Sequence, residues 1–410
     1  MKTIFICLIT FSLSATVNAQ IINPKRLFEK KANQAIEKKV DETLNNKSKK
    51  EETSKDKELP KEAEKVNPSQ AALPSLQTYS RFDFIPGEKV IFFDDFTQDN
   101  IGDFPALWNT NGSAEIVTTN LFPGRWMKFA SRNAIWTDGL LKLPDNYTLE
   151  FDVIPIKSEE GRMAGYNFRL LQSINAKSYD HGSVPGKAGF LFSCEYYGRT
   201  GYRTYINDAE GADLGLSGYK DGQQFYQVEN YKYHISIWVQ KARLRLYQDA
   251  NKLFDLPKAF PLTDVRFDRI RFENGAAMVS NIRIAVGTPD MRNKLITEGK
   301  LVSYGIYFDV NKDVVKPESY GTLKEIASVL NENPTFKIKI VGHTDGDGAD
   351  AANLDLSKRR AAAVKTEIVR IFSIDSVRIE TDGQGESQPV APNDSPSNKA
   401  LNRRVEFVKL

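Results

Sequence analysis

Asp345 and Arg360 are the residues of this chain whose types and spacing best suit chemistry, and that chemistry is the binding of a doubly charged ligand. Asp345 lies in the run Gly342-His343-Thr344-Asp345-Gly346-Asp347-Gly348, which is followed by a stretch rich in Ala, Leu, Lys and Arg. Those are strong helix formers. Within the predicted helix Asn353, Ser357 and Arg360 recur at i, i+4 and i+7, so they share one face. A carboxylate just before the helix and a guanidinium on it would then stand on neighbouring edges of one crevice. Such a pair suits a zwitterion, a small group that carries both an ammonium and a carboxylate.

The elements that must position these groups are a strand, a loop and the helix itself. In Phe336-Lys337-Ile338-Lys339-Ile340-Val341 the residues Phe336, Ile338 and Ile340 alternate onto one face, as in a half-buried strand. The Gly/Asp loop follows. Asp345, Asp347 and Asp350 could suggest calcium, but the twelfth position counted from Asp345 is Leu356 and not the Glu of an EF-hand loop. They read instead as acids that complement a helix N-terminus. His343 reads as a loop hydrogen-bonding group, and His181 and His234 are scattered without ligand spacing. No metal or cofactor is expected.

The pattern over 342–364 is G-H-T-D-x-x-G-x4-N-x-x-L-S-x-x-R-A-x-x-V, met by Gly342, His343, Thr344, Asp345, Gly348, Asn353, Leu356, Ser357, Arg360, Ala361 and Val364. It resembles the C-terminal domain of outer membrane protein A and of peptidoglycan-associated lipoprotein. Gly383 to Val390 and Leu401 to Glu406 look like the family's second and third signatures, and Tyr307-Phe308-Asp309 resembles its first strand. The resemblance covers residues 298 to 410. It implies an α+β domain of βαβαββ order that binds the diaminopimelate of the peptidoglycan stem peptide. By the same resemblance Asp345 accepts the ligand ammonium and Arg360 holds its carboxylate. Thr344, Asn353, Phe308 and Asp309 would frame the crevice, with Asn402 and Arg404 supporting it from the last strand. A second reading makes Arg403 and Arg404 a structural ion-pair set.

The rest of the 410-residue chain reads as a leader, a tether and a second domain. A net charge of +3 is too small to imply a nucleic-acid partner. Lys2 precedes an apolar run, Ile4 to Val17, that ends in Val17-Asn18-Ala19, so residues 1–19 read as a signal peptide cleaved before Gln20. The run is shorter than the roughly 20 apolar residues of a membrane span. Cys7 lies inside it without a Leu-x-x-Cys context, so no lipid attachment is expected. Cys194 is then the single cysteine of the mature chain and reads as a small buried hydrophobe. Residues 20–80 read as a tether. Phe28, Ala32, Ala35, Ile36, Val40 and Leu44 form a narrow apolar stripe, and Asn45 to Gln70 is too polar to order.

Residues 85–290 read as all β. Leu149, Phe151 and Val153 alternate with Thr148, Glu150 and Asp152, and His234, Ser236 and Trp238 alternate with Ile235, Ile237 and Val239. Gln248-Asp249-Ala250-Asn251 fits a hairpin turn between two such runs. Many short strands predict a sandwich of jelly-roll type. The hairpin from Arg243 to Pro257, Phe93-Asp94-Asp95-Phe96 and the run from Phe267 to Val286 resemble parts of concanavalin/laminin-G-like sandwiches.

Three readings compete for this domain. It could be an interaction module for a glycan or an envelope protein. It could be a carbohydrate-active enzyme, since sugar hydrolysis with retention needs two carboxylates about 5 Å apart. Glu150 and Asp152 are the acids available, yet Val153, Ile154 and Pro155 follow without a third, and the pair reads as the solvent face of a strand. It could be an outer-membrane barrel, but its strands are short. Its charges, Arg243, Arg245, Arg269 and Arg271 among them, are expected to face water rather than lipid. Trp108, Trp126, Trp136 and Trp238 could form a sugar platform, though at least two are expected in the core.

The expected protein is therefore a secreted, non-enzymatic envelope protein with a sandwich followed by a wall-binding domain. It is expected in the periplasm, bound to the cell wall, with association to the outer membrane left open.

Overall fold

The computed structural model of the protein describes residues 82–410, apart from 130–132, 158–164, 181, 183, 195–198, 209–210, 214, 223–224, 226, 261–264 and 288–289. The expected signal peptide and tether, Cys7 and His181 lie outside the described residues.

Alternating apolar runs become strands. In chain order they are β1 (Lys89–Asp94), β2 (Trp108–Thr110), β3 (Ala114–Val117), β4 (Trp126–Phe129), β5 (Ala134–Thr137), β6 (Asn146–Pro155), β7 (Tyr166–Gln172) and β8 (Ala188–Cys194). They continue with β9 (Arg199–Asp208), β10 (Gly211–Asp213), β11 (Ser217–Asp221), β12 (Tyr233–Gln240), β13 (Arg243–Gln248), β14 (Asn251–Leu256), β15 (Arg269–Glu273) and β16 (Ala277–Val286). One sheet runs β14-β13-β12-β6-β16-β4-β3 with β1 on β16; the other runs β10-β9-β8-β7-β15-β5-β2 with β11 on β9. The two inner faces bury Leu149, Phe151 and Val153 against Phe168, Phe190, Ile270 and Phe272. Phe151 meets Phe168 at 4.9 Å and Phe272 at 5.2 Å, the latter edge-on, the offset geometry aromatic pairs prefer. The interior is filled with side chains. This is a sandwich, and the barrel reading is overturned for the described residues.

The charged positions depart from the sequence expectation. Arg269 and Arg271, expected in water, are 1% and 6% exposed. The segment after β7 folds over them: Arg269 donates to Asp180 at 2.8 Å, and Arg271 reaches the Asp180 carbonyl and the Glu273 carboxylate. Arg243 and Arg245 are only partly buried, beside Asp255 and Asp83. All four tryptophans are buried, which leaves no exposed indole platform. Cys194 is buried as expected, and burial pushes its thiol up to about 12.

The C-terminal domain begins with helical turns over 291–298, whose Met291 and Leu295 belong to its core. It continues through β17 (Lys300–Ser303), α1 (Tyr320–Glu332), β18 (Ile338–His343), α2 (Asp350–Phe372), β19 (Ile379–Gly385), α3 (Pro396–Asn402) and β20 (Val405–Lys409). The sheet order is β17-β20-β18-β19, with β18 and β19 parallel. This is the expected βαβαββ order with a short α3 before the last strand. The first strand is β17, however, and not Tyr307-Phe308-Asp309. That segment leaves the sheet because its backbone bonds elsewhere: the Tyr307 N–H donates to Ser319 Oγ at 2.8 Å, and its carbonyl accepts from Lys316 N at 2.9 Å.

The two domains share a seam. The outer face of β6 and β12, read from sequence as a solvent face, is closed by the C-terminal domain, and Glu150 and Asp152 are 2% and 7% exposed. A bulge at Asn281 (φ 53°) shifts the register of β16 and sets Arg283 opposite Glu150. Arg283 Nη1 donates to Glu150 Oε1 at 2.8 Å, and the Tyr307 hydroxyl donates to Glu150 Oε2 at 2.5 Å. His234, read from sequence as lacking metal-ligand spacing, lies between the acids, with Nδ1 2.8 Å from Asp152 and Nε2 3.5 Å from Glu150. Burial alone would strip its proton, but hydrogen bonds to Asp152 and Glu150 outweigh that and push its pKa up to about 10.

Candidate functional site

The crevice is built where β18 hands over to α2. Gly342 lets the strand press on the helix, since a Cβ there would stand 2.3 Å from the Ser357 carbonyl oxygen. Ser357 is buried rather than facing the crevice; its hydroxyl accepts from Gly385 N at 2.9 Å and so ties α2 to the end of β19. The loop 344–349 then carries Asp345 across the start of the helix, with a positive φ of 105° at Gly348. Asn353 staples this loop. Its side-chain amide donates to the carbonyls of Asp345 (3.4 Å) and Asp347 (3.1 Å) and to Glu386 at 2.5 Å. Thr344 is buried beside it, its N–H on the Gly385 carbonyl at 2.9 Å; its hydroxyl has no protein partner among the described residues.

Arg360 projects from α2 toward the segment before α1. Its Nε donates to the Lys312 carbonyl at 2.9 Å and an Nη to the Asp309 carbonyl at 3.2 Å, and its guanidinium lies 4.8 Å from the Phe308 ring centre. Among the described residues no carboxylate stands within ion-pair distance of it. Burial lowers its pKa to about 10, against the opposing pull of Asp345, so it remains a cation at neutral pH. Asp345 forms the opposite pole, with Oδ2 accepting from Arg403 at 2.6 Å. Asp309 turns its own carboxylate away, to Lys232 of the sandwich at 3.1 Å.

The structure therefore gathers Asp345, Thr344, Asn353, Arg360, Phe308 and the backbone of Asp309 in one place. It does not bring Arg404 there. Arg404 is buried and donates to Glu406 at 2.9 Å and to the carbonyls of Asn402 and Gln388. Its neighbour Arg403 is the arginine that reaches the crevice, because α3 ends at Asn402 and the chain turns between the two. Asn402 is also remote from the crevice: it accepts from Val390 N and Ala391 N and donates to Asn393, whose side chain in turn accepts from Gly346 N at 3.0 Å. It supports the crevice loop at second hand. His343 is buried 3.5 Å from Glu406, which His343, Lys300 and Arg404 together hold down at about 2 despite its burial.

Lys232, Tyr307 and Arg403 were missed as contributors. For Tyr307 the signal was its place beside Phe308. For Lys232, far away in the other domain, the sequence carried none.

Residues 307–403 match the OmpA family, and the chain carries an OmpA family domain there. The match to outer membrane porin F of Pseudomonas fluorescens is 44% identical over 105 residues, 26% of this chain and 32% of that protein. Outer membrane protein A of Bordetella avium is 41% identical over 101 residues, 25% of this chain and 52% of that protein. The chain thus spans about a third to a half of these relatives' lengths. Among solved structures, the peptidoglycan-associated lipoprotein from Burkholderia pseudomallei is 30% identical with a TM-score of 0.24, covering 26% of this chain and 88% of that one. A carbohydrate binding module from Bacillus subtilis is 15% identical with a TM-score of 0.31, covering 44% of this chain and 96% of that one.

Proposed function

We propose that this protein is a secreted, non-enzymatic cell-envelope protein that holds peptidoglycan without a covalent bond, through the zwitterionic diaminopimelate of the stem peptide. The observation that carries the reading is Arg360, a half-buried guanidinium with no carboxylate within ion-pair distance among the described residues, standing across the crevice from Asp345. A ligand carboxylate would complete Arg360 through charge-assisted hydrogen bonds, and a ligand ammonium would share Asp345 with Arg403. A carboxylate offers about four acceptor sites, so the Arg403 contact leaves Asp345 able to take a second donor. The outer-membrane relatives of the OmpA domain support an envelope location.

The sandwich serves in this reading as an interaction module, for a glycan or an envelope protein. Enclosure of Glu150 and Asp152 with Arg283 and His234 supports the non-catalytic reading, because neither acid faces a site that a sugar could enter. The test is sedimentation of the full chain with purified sacculi. Asp345→Ala and Arg360→Ala are each expected to weaken binding by about 2–5 kcal/mol, the loss when one partner of a buried charge pair is removed. A folded double variant that sediments like the wild type would overturn the proposal.

A further inference from the structure

We infer that the sandwich is a working part of the wall-binding crevice, with Lys232 and Phe93 as positioning residues that hold its two charged poles. The inference rests on the proposed function above and adds residues from a domain that the OmpA match does not reach.

At the Arg360 pole, the guanidinium hangs from the carbonyls of Asp309 and Lys312, so its place is set by where the turn 309–312 sits. That turn lies outside any sheet. The sandwich grips it from the side: Lys232 Nζ donates to Asp309 Oδ1 at 3.1 Å, and Tyr307, two residues earlier, donates to Glu150. Lys232 is itself held by Asp152 at 3.8 Å and lies 5.8 Å from the Phe122 ring centre. Lys316, from the turn before α1, faces the same Asp309 oxygen at 3.9 Å.

At the Asp345 pole, the carboxylate is oriented by Arg403, and the Arg403 guanidinium lies 5.7 Å from the ring centre of Phe93 on β1. Phe93 is nearly buried, whereas the Arg403 side chain is 37% exposed. Stacking on a fixed ring restrains a partly exposed guanidinium further than its ion pair to Asp345 does. Each pole thus contacts a residue of the C-terminal domain that the sandwich in turn touches, Asp309 at Arg360 and Arg403 at Asp345. A ligand that must meet an ammonium acceptor and a carboxylate donor together depends on the distance between the poles, which this bracing sets.

The experiment measures affinity of the full chain for purified sacculi alongside its melting temperature. Lys232→Met and Phe93→Leu are expected to weaken binding by about three- to thirtyfold, with melting close to wild type. Lys232→Arg should restore most of the affinity. The Lys232→Met effect should vanish in an Arg360→Ala background, since Lys232 acts through the Arg360 pole. Lys294→Met removes another bridge of the seam, to Glu88, and should bind normally. Wild-type binding by both Lys232→Met and Phe93→Leu would overturn the inference while leaving the proposed function standing. An equal loss in Lys294→Met would also overturn it, by showing a general weakening of the seam. If wild type does not sediment, or Arg360→Ala sediments equally well, the proposed function itself fails.

Discussion

Glu150→Gln tests whether charge holds the seam together. The carboxylate is 2% exposed and receives Arg283 at 2.8 Å and the Tyr307 hydroxyl at 2.5 Å, with His234 at 3.5 Å. Burial would raise its pKa, but Arg283, His234 and Tyr307 outweigh that and keep it ionised. Glutamine has nearly the same volume, so no cavity opens; its carbonyl oxygen can still accept from Arg283, and its amide N–H can donate to the Tyr307 oxygen once that hydroxyl rotates. What disappears is the negative charge, leaving Arg283 and the His234 imidazolium buried with Asp152 and Asp249 as nearby acids. Removing one partner of a buried pair costs about 3–5 kcal/mol. The retained hydrogen bonds place the expected loss at the low end, about 3 kcal/mol, or roughly a hundredfold in the folding equilibrium. Urea denaturation of the full chain reads this directly, because all four tryptophans lie in the sandwich and report its unfolding. A second arm combines the change with Tyr307→Phe, where groups in contact should couple by about 1 kcal/mol or more. A loss below about 1 kcal/mol, or strict additivity with Tyr307→Phe, would refute the view of the seam as an ionic lock.

Stability should also fall as pH rises from about 7 to 10. His234 has a folded-state pKa of about 10 against an ordinary 6.5, so its contribution is complete below the ordinary value and is lost as pH climbs through the folded one. Melting curves across that range should flatten in His234→Gln, and an unchanged slope would count against the imidazolium. Phe272→Ala removes a ring that touches Phe151 at 5.2 Å and Phe168 at 5.4 Å, and should cost about 3–5 kcal/mol by chemical denaturation. Gly342→Ala must push β18 from α2, since its Cβ would meet the Ser357 carbonyl at 2.3 Å; a lower melting temperature and weaker sacculus binding should appear together.

Local periodicity made much of the fold legible. Leu149, Phe151 and Val153 face the core as their alternation says, and the strand, loop and helix around Asp345 are where the residue types place them. What alternation cannot say is what covers the other face. Glu150, Asp152 and His234 have the composition of a wetted surface, and they are dry because the C-terminal domain packs on them: Tyr307 reaches Glu150 from 157 positions later, and its ring centre lies 5.3 Å from that of His234. Arg269 and Arg271 fail for the same reason on the opposite sheet, where a loop closes over them. The crevice divides in the same way. Asp345, Asn353 and Arg360 follow from spacing on one loop and one helix. Choosing between Arg403 and Arg404 required knowing where α3 ends, since that end decides which of the two neighbours meets Asp345.

The residues just before β1 run along the seam, and they have a kinetic meaning. Phe82 and Phe84 pack on Trp238 and Tyr247 of the sandwich, while Ile85 packs on the core of the C-terminal domain. Gly87 then accepts from Arg283, 196 positions away, and Glu88 pairs with Lys294, 206 positions away. This short stretch emerges from the ribosome ahead of both domains and can settle only after both exist. Closing so long a loop is an entropic expense met late, when the two halves are already formed. The segment would act as a final latch in folding: its docking should be a slow, separable phase, and the halves on either side should be able to form before it closes.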